Sequence, residues 1–165
     1  LVETEAGMAC IHSARANDVV EEALRTGHFS SLFPAGAELR REVKIAEGST
    51  ADFFIPVDVG LYIEVKSVTL HCGDGAGAFP DAVSARATKH LGELQAAIAR
   101  GHRAALVFAV LHAAITWVAP AEDIDPTYAA ALRQAISSGL EVYTLLNDIT
   151  VDGIYPVSVH RWDAR

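Results

Sequence analysis

Cysteine is scarce. Cys10 and Cys72 are the only two in 165 residues, too few for a disulfide framework, so a reducing cytoplasm is the expected compartment. Four-ligand zinc spacing is absent as well: His71 and Cys72 are neighbours with no second pair at ligand distance, and they read as a loop feature. No apolar run is long enough to span a membrane, and Leu1-Val2-Glu3-Thr4-Glu5 does not resemble a signal peptide. The chain opens without an initiator methionine, which points to a piece of a longer polypeptide. Positive charge is in deficit, with 13 Lys and Arg against 21 Asp and Glu, a net charge of −8 and a pI near 5.3. This excludes a surface that is basic all over. A hold on nucleic acid then needs a local patch or a second domain that supplies cations, and a bound metal would offset part of the excess acid. There is no internal repeat, low-complexity stretch or linker. With 51% hydrophobic and 21% charged residues the chain can bury a substantial core, and one domain over residues 1–165 is the simplest division.

What is present centres on the stretch from Asp52 to Lys66. Two apolar runs, Asp52-Phe53-Phe54-Ile55 and Leu61-Tyr62-Ile63-Glu64-Val65-Lys66, flank a break containing Pro56 and Gly60, the pattern of a β-hairpin with a several-residue loop. On the second run Glu64 and Lys66 leave one face of the strand, while Leu61, Ile63 and Val65 leave the other for a core. Asp52, at the opening of the partner strand, falls within pairing reach of Glu64. Two carboxylates beside a lysine suit a divalent metal: Mg²⁺ takes oxygen ligands, usually one or two carboxylates plus waters. A metal there lowers the pKa of a bound water and neutralises charge on a scissile phosphate, and the lysine steadies the developing charge or orients the water. The other reading is a solvated hairpin face carrying a Glu/Lys pair, and spacing alone leaves both open.

Around this stretch the periodicity predicts an edge strand at Met8-Ala9-Cys10-Ile11 and a helix from Asp18 to Arg25, capped by Asn17 or Ser13 and stopped at Gly27. Phe29 to Gly36 reads as loop. Leu39 to Ala46 reads as a regularly alternating strand that places Glu42 on its polar face, as a site carboxylate or as plain solvent exposure. The strand carrying Glu64 is expected to run on to Leu70, followed by a flexible glycine-rich loop over His71 to Ala78. A strong helix spans Ser84 to Arg100, with Ala87, Leu91, Leu94 and Ile98 as its apolar stripe and Arg86 and His90 sharing a face at i,i+4. Arg103 to Leu111 is apolar almost throughout, as a strand buried on both faces should be. A short strand at Ile115 to Val118, a helix from Asp125-Pro126 to Ser137, and strands at Leu140 to Leu146 and Ile154 to His160 about an Asp152-Gly153 turn complete the chain. The order αβββαβ, with an Asp in the second core strand and Glu-x-Lys in the third, is that of a nuclease-like α/β core: a mixed sheet flanked by helices, with an additional C-terminal helix and strands.

Several longer motifs are more specific. Leu39-Arg40-Arg41-Glu42-Val43-Lys44, Tyr62-Ile63-Glu64-Val65-Lys66-Ser67-Val68-Thr69-Leu70, Ala78-Phe79-Pro80-Asp81-Ala82, Lys89-His90-Leu91, Gly101-His102-Arg103-Ala104 and Ile124-Asp125-Pro126 occur in an order that resembles the sugar fermentation stimulation protein family, SfsA. The resemblance implies a PD-(D/E)xK, restriction-endonuclease-like domain, normally preceded by an N-terminal OB-like domain that this chain does not include. It also implies DNA as partner, a Mg²⁺- or Mn²⁺-dependent nuclease site, and a regulatory link to maltose and other sugar metabolism.

Carried onto residues, the resemblance makes Asp52 and Glu64 the metal-binding acids, Lys66 the catalytic lysine and Glu42 a further catalytic carboxylate. Asn17 falls on the first core helix, and Arg86, Lys89 and His90 on the helix that touches phosphate or the metal's water shell. The chain departs from the family pattern at Thr50, where an arginine is usual, in the glycine-rich run Cys72 to Gly77, and at Ala87-Thr88. The alternative function is a non-catalytic DNA-binding regulator that keeps the fold for grip. A purely structural domain is disfavoured, since clustered carboxylates repel one another unless a cation or proton intervenes.

Overall fold

In the computed structural model, which describes residues 1–162, the chain forms three helices and a six-stranded mixed sheet with smaller sheets beside it. A hairpin of β1 (Val2–Thr4) and β2 (Gly7–Ala9) leads into α1 (Arg15–Arg25). The antiparallel meander β3 (Arg40–Ala46), β4 (Ser49–Ile55) and β5 (Leu61–Val68) follows. Two short strands, β6 (Leu70–His71) and β7 (Ala76–Phe79), precede α2 (Ala85–Ala99) and β8 (Arg103–Val110). Then come β9 (Trp117–Pro120), α3 (Pro126–Ser137), and the terminal hairpin β10 (Glu141–Thr150) and β11 (Gly153–Arg161). The large sheet runs β11-β10-β8-β5-β4-β3, with β8 parallel to both β5 and β10.

The sheet is covered on both faces. Val19, Val20, Ala23 and Leu24 of α1 pack with Leu61, Ile63 and Val65 of β5 and with Ala105, Val107 and Ala109 of β8. Leu91 and Leu94 of α2 and Tyr128 and Leu132 of α3 pack on the opposite face, against Leu106, Phe108 and Val110. The uninterrupted apolar run of β8 follows from this position, since each of its faces meets a helix layer. Phe29, Leu32 and Phe33, in the segment read only as loop, are also buried against α1 and the sheet. Gly60 closes the β4–β5 connection at φ 79°, where a Cβ would stand 2.7 Å from the Phe54 ring.

Several expectations are corrected. Helix α1 starts at Arg15, with Ala14 at the N-cap position and no side-chain cap, so neither Asn17 nor Ser13 caps it. The strand that carries Glu64 ends at Val68. The segment expected to be a flexible loop instead contributes β6 and β7, which join β9 in a three-stranded sheet. The regular alternation expected for β3 also fails. Leu39 packs with the α1-side core and Ile45 with the α2-side core, although an unbroken strand would put both on one face. Glu42, between them, has φ 51°, and this left-handed residue turns the strand over.

Candidate metal and nucleic-acid site

The same inversion occurs in β4. Phe53 and Ile55 bury toward α1, while Ala51, two residues earlier, buries toward α2. Antiparallel pairing of β4 with β5 covers Ile55↔Leu61, Phe54↔Tyr62 and Phe53↔Ile63, then stops. The next row would set Asp52 against Glu64. On the other side of β4, Arg41↔Phe53 and Val43↔Ala51 put Glu42 opposite Asp52. Glu42, Asp52 and Glu64 thus occupy one row across three strands, where the sheet splays open.

The splay leaves backbone groups to satisfy, and Asp52 does it. Its Oδ2 accepts from Val65 N at 2.7 Å and its Oδ1 from Asn17 Nδ2 of α1 at 2.9 Å. Burial, and then the charge of Glu64, push the Asp52 carboxyl above the ordinary aspartate range, although both hydrogen bonds and Lys66 oppose the rise. Glu64 is 4% exposed. Burial alone would push it up. The hydrogen bond from His90 and the ammonium of Lys66 together outweigh burial and hold it below the ordinary glutamate range. Its Oε1 is 2.7 Å from Lys66 Nζ and 2.5 Å from His90 Nδ1. An ionised carboxylate only accepts, so Nδ1 of His90 carries the hydrogen in this pair.

Helix α2 delivers His90 and Arg86, and the start of α2 is pinned. The Ser84 hydroxyl caps it by accepting from Ala87 N at 3.1 Å, and Asp125, the N-cap of α3, accepts from both Ser84 N and Tyr128 N at 2.9 Å. The two backbone hydrogen bonds hold the Asp125 carboxyl low. Behind this wall the Tyr128 hydroxyl is buried with no hydrogen-bond partner among the described residues. Burial, and then the charges of Glu64 and Asp125, push its pKa up.

A cleft of about 540 Å³ gathers these groups. Asn17, Glu42, Asp52, Glu64, Lys66, Arg86 and His90 all line it, so seven of the eight residues singled out from the sequence come together. Lys89 does not. It lines a neighbouring hollow, 60% exposed in its side chain and 3.4 Å from Glu93. Sequence reasoning missed the hydroxyls of Ser67 and Thr69 as lining groups, because they look like ordinary strand continuation. It also missed Thr50, noted only as a departure, and the tie through Asp125, which read merely as a helix cap.

The donor set fits a hard divalent cation. Asp52 and Glu64 are paired carboxylates, partly or fully removed from solvent, whose mutual repulsion a cation would relieve. Among the described residues Glu64 Oε2 carries no hydrogen bond, which leaves it available to such a cation, although no group of three or more His, Cys, Asp or Glu that could hold a metal by itself is found there.

With this geometry in place, comparisons with known proteins can be set beside it. A family model described as sugar fermentation stimulation protein RE domain matches residues 14–153. The chain is 47% identical over 148 residues to a sugar fermentation stimulation protein homolog of Saccharophagus degradans, covering 88% of this chain and 63% of that protein. It is also 47% identical over 159 residues to the homolog of Pseudomonas paraeruginosa, covering 93% and 67%. The chain therefore spans about two thirds of the length of these relatives. Among solved structures, that of Pyrococcus furiosus SfsA in complex with Ca²⁺ superposes with a TM-score of 0.76 at 25% identity, covering 96% of this chain and 66% of that one. The span of the matched residues, the level of identity and the shared fold agree, and the chain belongs to the sugar fermentation stimulation protein family.

Proposed function

We propose that this chain is a PD-(D/E)xK nuclease-like domain whose cleft hydrolyses phosphodiester bonds of nucleic acid, DNA in the first instance, with Mg²⁺ or Mn²⁺ held by Asp52 and Glu64. The observation that carries the reading is the convergence of Asp52, Glu64, Lys66, His90 and Arg86 in one cleft at the splay of the sheet. The archaeal relative was solved with Ca²⁺, another cation that seeks oxygen ligands. A bound metal supplies an acidified water and neutralises charge on the phosphate.

The chain's own groups do the rest. Asn17 and Val65 N fix the orientation of Asp52. Lys66 and His90 stand within 3.4 Å of each other and share Glu64 Oε1, so each can hold or pass a proton beside the scissile phosphate. Arg86, exposed on the cleft wall, offers a planar guanidinium to a phosphate oxygen. Glu42 adds a carboxylate at the open end of the row. The family's longer members would add an N-terminal OB-like domain, a stacking and electrostatic platform for the strand. The free thiols Cys10 and Cys72 are in keeping with a reducing cytoplasm, and among the described residues no helix is long and apolar enough to cross a membrane.

The net charge of −8 favours a second reading, a DNA-binding regulator of sugar metabolism that grips through the other domain and does not cut. Calorimetry with Mn²⁺ and Mg²⁺, on the chain and on Glu64→Ala, followed by a screen of single- and double-stranded DNA and RNA, separates the two. Metal binding lost in the variant, with cleavage stopped by Asp52→Asn or Lys66→Met, supports the nuclease. Cleavage by clean protein that survives both substitutions sinks it, and salt-sensitive DNA binding without turnover leaves the regulator.

A further inference from the structure

The hollow that holds Lys89 adjoins the cleft and shares Thr50, Arg86 and His90 with it. Its volume is about 420 Å³, and its remaining wall includes Gly48 and Ser49 of the β3–β4 turn. We propose that it is a second phosphate subsite, which takes the neighbouring phosphate of the same polynucleotide strand as that strand leaves the cleft. The inference rests on the nuclease reading above and assigns the side on which substrate must extend.

Charge placement is the first argument. Ten of the twelve Lys and Arg among the described residues stand within ion-pair distance of an acid; Arg86 and Arg100 do not, and both belong to α2 or its C-cap. Arg100 is engaged with the Ile45 carbonyl at 3.3 Å, which leaves Arg86 free at the saddle between cleft and hollow. Lys89 lies one turn on. Residues at i,i+3 of a helix stand about 5–6 Å apart at Cβ, so both cations can reach one phosphate. The Lys89–Glu93 pair is long at 3.4 Å and the Lys89 side chain is 60% exposed, so the ammonium can turn toward an anion while Glu93 keeps its hydrogen bond from Ser49.

The second argument is the turn. The Ser49 hydroxyl donates to Glu93 Oε2 at 2.7 Å and so fixes the β3–β4 turn against α2. Glu93 is occupied by that bond and by Lys89, and is not a lining residue of the hollow. Thr50 is exposed on the saddle and its hydroxyl makes no hydrogen bond among the described residues, so it is available to a phosphate oxygen. A Cβ built at Gly48 would meet nothing within 4 Å, so the turn leaves space for a strand to pass.

Ile11, Ser13 and Ala14 also line the cleft and carry no charge to hold a phosphate. Inside the cleft, Glu42, Asp52 and Glu64 repel a second anion. The next phosphate is therefore favoured on the α2 side, and a polynucleotide with a further diester there should bind better than an isolated diester.

The test measures affinity for an unlabelled single-stranded hexanucleotide and for a dinucleotide, across salt concentrations, with chelator and with Ca²⁺, for the parent, Lys89→Gln and Thr50→Val. The expected result is a several-fold weaker hexanucleotide complex for both variants and, for Lys89→Gln, which lies outside the cleft, an unchanged dinucleotide complex and a salt slope smaller by about 0.7, the value of one phosphate contact on a single strand. Parent and variants with the same hexanucleotide affinity and slope overturn the subsite while leaving the nuclease reading intact. A parent that binds no oligonucleotide of either length in any of these conditions overturns both.

Discussion

Replacing Glu64 by Gln keeps the shape of the side chain and removes one charge. Lys66, whose side chain is 15% exposed, loses its nearest counter-charge at 2.7 Å, and His90 keeps a weaker acceptor. Removing one partner of a buried pair costs about 3–5 kcal/mol, because the other charge is left uncompensated. Two features of the site reduce the loss. The buried carboxylate no longer has to stay ionised, and Asp52, which also feels the charge of Lys66, takes over part of its role. The expected loss is therefore at the lower end, about 3 kcal/mol, or roughly 6–12 °C in melting temperature for a chain of this size. Adding Lys66→Met removes the orphaned ammonium and should recover most of the loss, since replacing both partners of a buried pair is often neutral.

Urea denaturation of the four proteins at neutral pH gives the coupling energy directly. A coupling below about 0.5 kcal/mol, a value in the range of exposed pairs, refutes the buried-pair argument. The same series reads the metal. At a hundred times its Kd, Mn²⁺ adds about 2.7 kcal/mol to the parent. The Glu64→Gln variant should not respond, and an equal response would remove Glu64 from the metal site.

Because burial and Glu64 hold Asp52 above its reference value of 3.8, the folded chain binds this proton more tightly than the unfolded chain. Stability from that proton therefore appears as pH falls through the raised pKa, and Mn²⁺ affinity, followed by calorimetry against pH, should weaken in the same window. Affinity held constant down to pH 3.8 would contradict this. Asn17→Ala removes a hydrogen bond to a charged acceptor, worth about 1.5–3 kcal/mol, and should move the decline in metal affinity to higher pH, which the same titration reads. Asp125→Ala frees the starts of both α2 and α3. It should lower the urea midpoint and weaken protection of the Ser84 and Tyr128 amides in hydrogen exchange. His112 is buried, stacked on His71, and held below 6.5 by burial and by that neighbour. The unfolded chain accepts its proton first, so stability should drop as pH falls below 6.5, with early exchange at Cys10 and Ala113, which tie the β1–β2 segment to this strand end.

Much of the scaffold was legible because single physical signals dominated it. The apolar run from Arg103 to Leu111 left no alternative to a doubly buried strand, and Ser84, Gly101, Asp125 and Pro126 marked the ends of α2 and the start of α3. The site was legible in composition and order but not in its geometry. Nothing about a glutamate in a strand announces a left-handed φ, so Glu42 looked like one polar tooth of a regular alternation. The three-stranded sheet was hidden because β6 and β7 are short and glycine-flanked, and its third strand, β9, lies about forty residues further on. Lys89 was grouped with Arg86 and His90 by the family resemblance, which names residues but not the direction each takes from α2, and it lines the adjoining hollow.

The position of Asp52 joins folding and chemistry. A strand that leaves its ladder exposes an N–H, and here Val65 N finds the Asp52 carboxylate in place of a β4 carbonyl. The same carboxylate is drawn toward α1 by Asn17 and toward the cleft by the inversion at its own residue. Asp52→Ala therefore deletes a proposed metal ligand and also orphans a backbone donor, and the second loss alone costs about 1–3 kcal/mol. Lost activity in that variant cannot be assigned to chemistry. Asp52→Asn keeps an oxygen for Val65 N and removes the charge, so the difference between the two variants separates the structural role of Asp52 in the splay from its proposed role toward a metal. The Glu64 and Lys66 side chains accept or donate no ladder hydrogen bond, so their substitution leaves the backbone pairing of the splay in place.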